Sequence, residues 1–343
     1  MILHIAESNK FTVPLFNLFQ ANGMFSNHRI IDITNKNEWP EGLKSYATTS
    51  KRPANYFSMM SNALKAEKIF VHGLFDPKII LFLFLQPWIY KKTYWIMLGG
   101  DLYSNIYQYN GVKYKLKEWL KKVVISRLHG LITYIDEDVV LARQWYKAKG
   151  KYYKCLMYKS NTYEGNYEGA FEDRESLHIM VGNSADPSNN HIEAFHQLSE
   201  LKNKFNCLVV PLSYGDIEYA LSVKQTGMAL FGQKFYGVLE FIPLEEYKRM
   251  LTSVDIAIFS HRRQQGMGNI ISLLGMGKTV YINSETTTWI YLRSIGVKVF
   301  DSMSIGLSEL NSEESIKNHE IIKSQHSIYN LISQWQVIID EQV

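Results

Sequence analysis

The stretch "SHRRQQGMGN", Ser260 to Asn269, joins two guanidinium groups to a glycine loop, a combination suited to an anion with several oxygens. Arg262 and Arg263 can each offer a planar fork of donors, and Gly266 and Gly268 let backbone N–H groups approach a ligand without a Cβ in the way. Gln265 lies between them, and Asn269 stands where a helix would begin, adding the positive end of its dipole. A tight turn alone would also use these glycines. "GNSAD", Gly182 to Asp186, is a second candidate. Asn183 and Ser184 are short hydrogen-bonding residues at a strand end, suited either to phosphate and hydroxyl groups or to capping and turn formation. Tyr214, after "VVPLS", either contacts a ligand at a neighbouring strand end or packs as an ordinary tyrosine.

In the first half, "MLGGDLY" sets Gly99, Gly100 and Asp101 directly after a strand. A carboxylate there can take the proton of an attacking hydroxyl, can orient it, or can cap a helix. Glu7, after "LHIA", is the alternative acid. His72 in "VHGLF" either binds substrate or sits as a satisfied core histidine. No cluster has metal-ligand spacing, so no metal is expected. Cys155 and Cys207 are far apart and suggest neither a disulfide framework nor a metal site.

The elements that would carry these residues alternate. "VDIAIF" and "TVYIN" are short apolar runs of the kind a buried parallel strand requires, and "NIISLLGMG" between them has helical spacing closed by Gly275 and Gly277. The loop 260–269 therefore lies at the carboxyl end of a strand and the amino end of a helix, where α/β proteins bind anions. The first half repeats the alternation through "ILHIA", "RIIDIT", "KIFVHGL", "TYWIMLG" and "GLITYI"; the second through "LHIMVG", "CLVVPLS", "MALFGQKFYGV", "VDIAIF" and "TVYIN". Helices are expected to begin near Asn189, Asp216, Leu244 and Asn269. At 343 residues and 46% hydrophobic content the chain suits two domains. They are expected at 1–160 and 176–312, joined by a polar, glycine-containing linker at 161–175, with a helical tail at 313–343 that could cross back to the first domain.

The net charge of +4 hides an asymmetry: residues 1–160 balance at +12 and the remainder at −8. Much of the positive charge falls in "KYKLKEWLKK", Lys113 to Lys122, where lysines alternate with Tyr114, Leu116, Trp119 and Leu120. That pattern suits an anionic membrane surface, with Lys117, Lys121 and Lys122 meeting headgroups, or else a solvated helix face. No nucleic-acid-binding pattern is present. "IILFLFLQPWIY", Ile79 to Tyr90, is broken by Pro87 and falls short of the ~20 residues of a spanning helix. "MILHIAESNK" reads as a first strand and not as a signal peptide.

Two successive doubly wound domains with a polar linker resemble the plan of GT-B glycosyltransferases, two Rossmann-like domains facing a central cleft. "HGLFDP", "GGDLY", "VGNSADPSNNHI" and "RQQGMGN" together resemble the bacterial 4-acetamido-4,6-dideoxygalactose (Fuc4NAc) transferase family of enterobacterial common antigen synthesis. The resemblance implies a dTDP-sugar donor, a polyprenyl-diphosphate-linked glycan acceptor, no cofactor, and a peripheral position on the cytoplasmic face of the bacterial inner membrane. Arg263 matches the family position, whereas Arg262 is either a second contact or merely a surface residue. The larger retaining GT-B families carry a pair of glutamates where this chain has Gln265 and Leu273, so a mechanism resting on that acidic pair does not transfer. Breaking a bond to a nucleoside diphosphate leaves extra negative charge on its oxygens, which donors in the 260–269 loop would stabilise. The competing readings are another nucleotide-sugar transferase, a nucleotide-sugar epimerase or phosphorylase, and a two-domain sugar-binding protein without activity.

Overall fold

The computed structural model describes residues 1–34, 38–49, 53–104, 106, 111–169 and 177–342. Two compact units divide the chain, one of Met1–Asn161 with Ile328–Val343, the other of Thr162–Ser327. Of the expected linker, Asn161 ends the first unit and the eight residues 162–169 belong to the second, while positions 170–175 lie outside the described residues.

The first unit is built on strands β1 (Ile2–Ala6), β2 (His28–Asp32), β3 (Ala47–Thr49), β4 (Lys68–His72), β5 (Thr93–Ile96), β6 (Gly130–Thr133) and β7 (Lys151–Lys154), in the order β3-β2-β1-β4-β5-β6-β7. Every pairing is parallel. β1 and β4 are buried along their whole length, as strands covered by helices on both faces must be. Among the described residues three aromatic side chains, Phe19, Phe70 and Trp335, meet edge to face, Trp335 lying 5.3 Å from Phe19 and 5.4 Å from Phe70. Trp335 comes from the C-terminal helix Ile328–Asp340, and its indole N–H donates to Met157 O at 3.0 Å. Lys68 closes that helix by donating to the carbonyls of Ile338 and Ile339 at 2.7 and 2.8 Å, where the negative end of the dipole favours a cation. The tail expected at 313–343 is thus two helices with different loyalties. Ser312–Gln325, started by an Asn311–Glu314 capping box, belongs to the second unit; Ile328–Asp340 belongs to the first.

The second unit carries β8 (Leu177–Val181), β9 (Phe205–Pro211), β10 (Phe235–Val238), β11 (Ile256–Phe259), β12 (Thr279–Ile282) and β13 (Phe300–Asp301), in the order β10-β9-β8-β11-β12-β13 and again all parallel. In each sheet the order reverses once, between β1 and β4 and between β8 and β11. Those reversals are the topological switch points, outside which open α/β sheets bind ligands. The stretch "MALFGQKFYGV" splits: Met228–Phe231 ends the helix Ile217–Phe231, and only Phe235–Val238 is strand. The helices expected near Asn189 and Asn269 begin at His191 and Met267.

The apolar run at 79–90 forms the helix Pro77–Phe84 followed by a 3-10 turn, Pro87–Lys92. Among the described residues no helix is long and apolar enough to cross a membrane.

Candidate functional site

At the switch point of the second sheet, the ends of β8 and β11 are tied together by Asn189. Its side-chain oxygen accepts from the Asn183 backbone N–H at 3.0 Å and lies 2.9 Å from His261 Nε2; its amide nitrogen donates to Ser184 Oγ at 3.1 Å and to Asp186 O at 2.9 Å. Because that oxygen already receives a backbone N–H, His261 must present its proton at Nε2. Burial, then the Arg263 and His191 charges, push the His261 pKa down to about 3, so the ring is neutral. His191 behaves alike: it is buried, pushed to about 4, and bonded through Nδ1 to Tyr219 at 3.2 Å.

Asp186 caps the short turn Pro187–Asn189, accepting from Ser188 N at 2.9 Å and Ser188 Oγ at 2.6 Å. Burial pulls its pKa up, but the Ser188 hydrogen bonds and the Arg263 guanidinium outweigh that and hold it below the usual carboxylate range. Arg263 reaches Asp186 at only 3.4 Å and donates to Gln264 O at 3.3 Å. Its side chain is 14% exposed, so the guanidinium is held in the site with donor capacity unspent. Arg262 differs. It is 72% exposed and pairs with Glu193 at 3.3 Å, so the structure turns it to the surface, the second of the two roles open to it.

Gly266 opens the helix Met267–Gly275 with φ +68°, and a Cβ there would stand 3.0 Å from Asn183 Oδ1 and 3.1 Å from His261 Cε1. Both the left-handed backbone and the close approach demand glycine. The first intrahelical bonds run from Asn269 N and Ile270 N to Gly266 O, leaving the Met267 and Gly268 amides at the open end of the helix. Gln265 is bridged to the β8 loop through Ser188 Oγ at 2.6 Å. Asn269 donates to the Tyr247 hydroxyl at 2.7 Å, and Asn183 to that of Tyr214 at 2.9 Å. Tyr214 is half exposed, its pKa raised by burial.

Among the described residues, Asn183 Oδ1, His191 Nε2, Ser260 Oγ, Arg263 Nε and Gln264 Oε1 are buried without a hydrogen-bond partner. Buried polar atoms are nearly always paired, and orphans gathered at one switch point mark unspent capacity for a ligand. Sequence reasoning missed Asn189, His191 and His261. A polar "SH" directly after the apolar β11 was the available signal.

The first unit turns three of the candidate side chains inward. Asp101 is 1% exposed, and its carboxylate accepts from Leu74 N (2.9 Å), Trp95 Nε1 (2.6 Å), Leu98 N (2.9 Å) and Leu102 N (3.0 Å). With all its acceptor sites taken, it braces the turn after β5 and cannot serve as a base. Gly99, at φ +77°, and Gly100 shape that turn. His72 is also internal: Nε2 lies 3.0 Å from His4 Nδ1 and Nδ1 lies 2.8 Å from the Tyr158 hydroxyl, while His4 Nε2 continues to His28 Nδ1 at 2.9 Å. Among the described residues Tyr158 has no other acceptor, so it donates and fixes every tautomer in the chain. Burial pushes His72 to about 3 and His28 to about 4. Lys121, expected to meet headgroups, is fully buried and donates to Asp101 O, Ser104 Oγ and Tyr146. Burial, opposed by Glu118 and Asp101, lowers its pKa to about 8.

Glu7 remains. It follows β1 at the switch point, is exposed, and its carboxylate has no hydrogen-bond partner among the described residues. Burial, then the Asp32 and Asp76 carboxylates, raise its pKa.

The family model described as 4-alpha-L-fucosyltransferase, glycosyl transferase group 56, matches residues 38–334. By structure the chain is similar to sucrose-phosphate synthase from Thermosynechococcus elongatus, with TM-score 0.70 and 10% identity over 98% of this chain and 97% of that one. It is similar to WaaG, a glycosyltransferase involved in lipopolysaccharide biosynthesis, with TM-score 0.63 and 11% identity over 99% of this chain and 100% of that one. Anabaena HepE in complex with UDP and glucose gives TM-score 0.60 and 11% identity over 99% and 95%. These likenesses are of fold: two parallel-sheet α/β domains on the GT-B plan.

Proposed function

The chain belongs to the 4-alpha-L-fucosyltransferase family, glycosyl transferase group 56, and from that premise we propose that it transfers a Fuc4NAc-like deoxyamino sugar from a dTDP-sugar to a polyprenyl-diphosphate-linked glycan in bacterial surface polysaccharide synthesis. The family and fold make it a glycosyltransferase. The observation that carries the donor site is the cluster of orphaned buried polar atoms around Arg263 at the β8–β11 switch point. Arg263 and the Gly268 amide take the diphosphate, with Asn269 and Gln265 holding the loop. Asn183, Ser184 and Tyr214 hold the sugar side of the donor.

In the reaction the bond from the sugar's anomeric carbon to the β-phosphate oxygen breaks, and a bond from that carbon to an acceptor hydroxyl oxygen forms. dTDP departs with an added negative charge, which the guanidinium and helix N-terminus stabilise more in the transition state than in the ground state. The acceptor proton goes to Glu7, an exposed carboxylate after β1 whose pKa is raised by burial and by Asp32 and Asp76. No metal or cofactor is invoked. The enzyme works peripherally, on the cytoplasmic face of the inner membrane, where a polyprenyl-linked acceptor presents its sugar.

The test is incubation with a panel of dTDP- and UDP-sugars, with and without a polyprenyl-diphosphate-linked disaccharide, while nucleotide release is followed. Release from the dTDP-deoxyamino sugar that depends on the acceptor is expected. Release only from UDP-sugars, or equal release without acceptor, would overturn the reading.

A further inference from the structure

The helices Pro77–Phe84 and Val112–Ile125 of the first unit lie side by side, joined by the Phe84 and Trp119 rings at 5.7 Å. Each points a stripe of large apolar side chains outward. On the first helix and its following turn these are Leu81, Leu85 and Trp88, 46%, 53% and 58% exposed; on the second, Val112, Leu116 and Trp119, 84%, 55% and 54% exposed. Leu81 with Leu85, and Val112 with Leu116 and Trp119, follow the spacing of one helical face each, and Trp88 extends the first stripe from the 3-10 turn, so the described residues leave an apolar side of the two helices uncovered. Scattered exposed apolar residues are ordinary, but a joined pair of stripes is a patch.

The charge around the patch points to what covers it. Lys78, Lys91, Lys113, Lys115 and Lys122 are exposed on the same two segments. The acids nearby are engaged: Glu118 accepts from Ser104 and Tyr146, and Asp76 caps its helix through Lys78 N. Tryptophan and leucine within a lysine rim fit the boundary between headgroups and acyl chains of an anionic bilayer.

We infer that the paired helices Pro77–Phe84 and Val112–Ile125 form a docking face for an anionic lipid surface, with Trp88, Trp119, Leu85 and Leu116 entering the interface and the lysines meeting headgroups. The inference rests on the proposed use of a membrane-held acceptor and gives that membrane a defined address on the fold. Lys121 takes no part, because it faces inward.

The experiment is co-sedimentation of the full chain with phosphatidylglycerol-containing vesicles and with pure phosphatidylcholine vesicles. Wild type should bind the anionic vesicles and be released by salt. The Lys113→Gln, Lys115→Gln, Lys122→Gln variant should bind on the order of a hundredfold less, each lysine contributing roughly fivefold. The Leu85→Gln, Trp88→Gln variant should bind less at every salt concentration. An unchanged melting temperature and unchanged dTDP affinity show that each variant is folded. Equal sedimentation of wild type and both variants, or binding to neither vesicle with self-association instead, overturns the inference. Failure of the wild type to dock, with transfer to a detergent-solubilised acceptor intact, would sink this face and leave the proposed reaction standing; docking without transfer to any lipid-linked acceptor would do the reverse.

Discussion

Asp101 and Glu7 are both carboxylates beyond the ends of parallel strands, and their surroundings give them opposite fates. Asp101→Asn turns an NH2 toward two of the four N–H groups that now donate to the carboxylate. Leaving buried donors unpaired costs about 1–3 kcal/mol each, so this variant should lose roughly 2–6 kcal/mol of stability, read as a fall in the denaturant midpoint of the first unit. Glu7→Gln, on an exposed side chain, should leave that midpoint within about 0.5 kcal/mol and lower turnover by roughly a hundredfold, with dTDP affinity unchanged. A stable, fully active Asp101→Asn protein would refute the brace; a fully active Glu7→Gln protein would remove Glu7 from the chemistry. Sequence alone could place both carboxylates at strand ends. It could not show that Asp101 turns inward, because its partners are three backbone amides and an indole whose positions depend on the turn being made.

At the scale of elements, the loop between β11 and the helix Met267–Gly275 was legible because its logic is local: a buried strand, glycine where the backbone must be left-handed, then a helix whose open amides face the loop. Gly266→Ala should cost about 1–3 kcal/mol from the φ of +68° alone. It should also push Asn183 and His261 apart, so donor affinity falls beyond what the lost stability explains. Calorimetry with dTDP on the folded variant checks this, and unchanged affinity would separate Gly266 from the site. The Asn189 tie was not legible, since it depends on β8 and β11 being neighbours across a long crossover. Lys121 shows a missed local signal. It lies three and four positions before Val124 and Ile125, which sets it on the buried face of its helix. The edge strands β3, β7 and β13 also escaped notice, being two to four residues long and, in "KYYK", bounded by a lysine at each end.

For the whole molecule, both units bury neutral histidines. His28 and His191 are pushed to about 4, His72 and His261 to about 3, against an ordinary 6.5. These groups are depressed bases, so the unfolded chain takes up protons below pH 6.5 while the folded chain does not until pH 4 or lower. Stability is therefore complete above about pH 6.5 and falls progressively from there toward pH 4. At pH 5.5 each histidine should have cost on the order of 1 kcal/mol, so the buried histidines of each unit, His4 included in the first, should lower its thermal midpoint clearly between pH 7.5 and 5.5. Midpoints flat across that interval would contradict the neutral, buried assignment. Alternation of strand and helix made the two-sheet plan readable from sequence, because a parallel strand buried on both faces has few other ways to look. The return of Ile328–Asp340 to the first unit was readable only as a helix, since Trp335 finds its aromatic partners more than 260 residues earlier in the chain.

The proposed hold of the loop after β11 on the donor's diphosphate depends on Arg263. Calorimetric titration of dTDP into wild type, Arg263→Ala and Arg262→Ala proteins tests it most directly. Arg263→Ala should weaken binding by roughly 1.5–3 kcal/mol, about tenfold or more, because a charged hydrogen-bonding partner is removed from a buried site. Lysine in its place should restore only part of the loss, lacking the planar fork. Arg262→Ala should change affinity less than about twofold, since that side chain lies at the surface against Glu193. Equal affinities for all three proteins, or a larger loss from Arg262→Ala, would contradict the account.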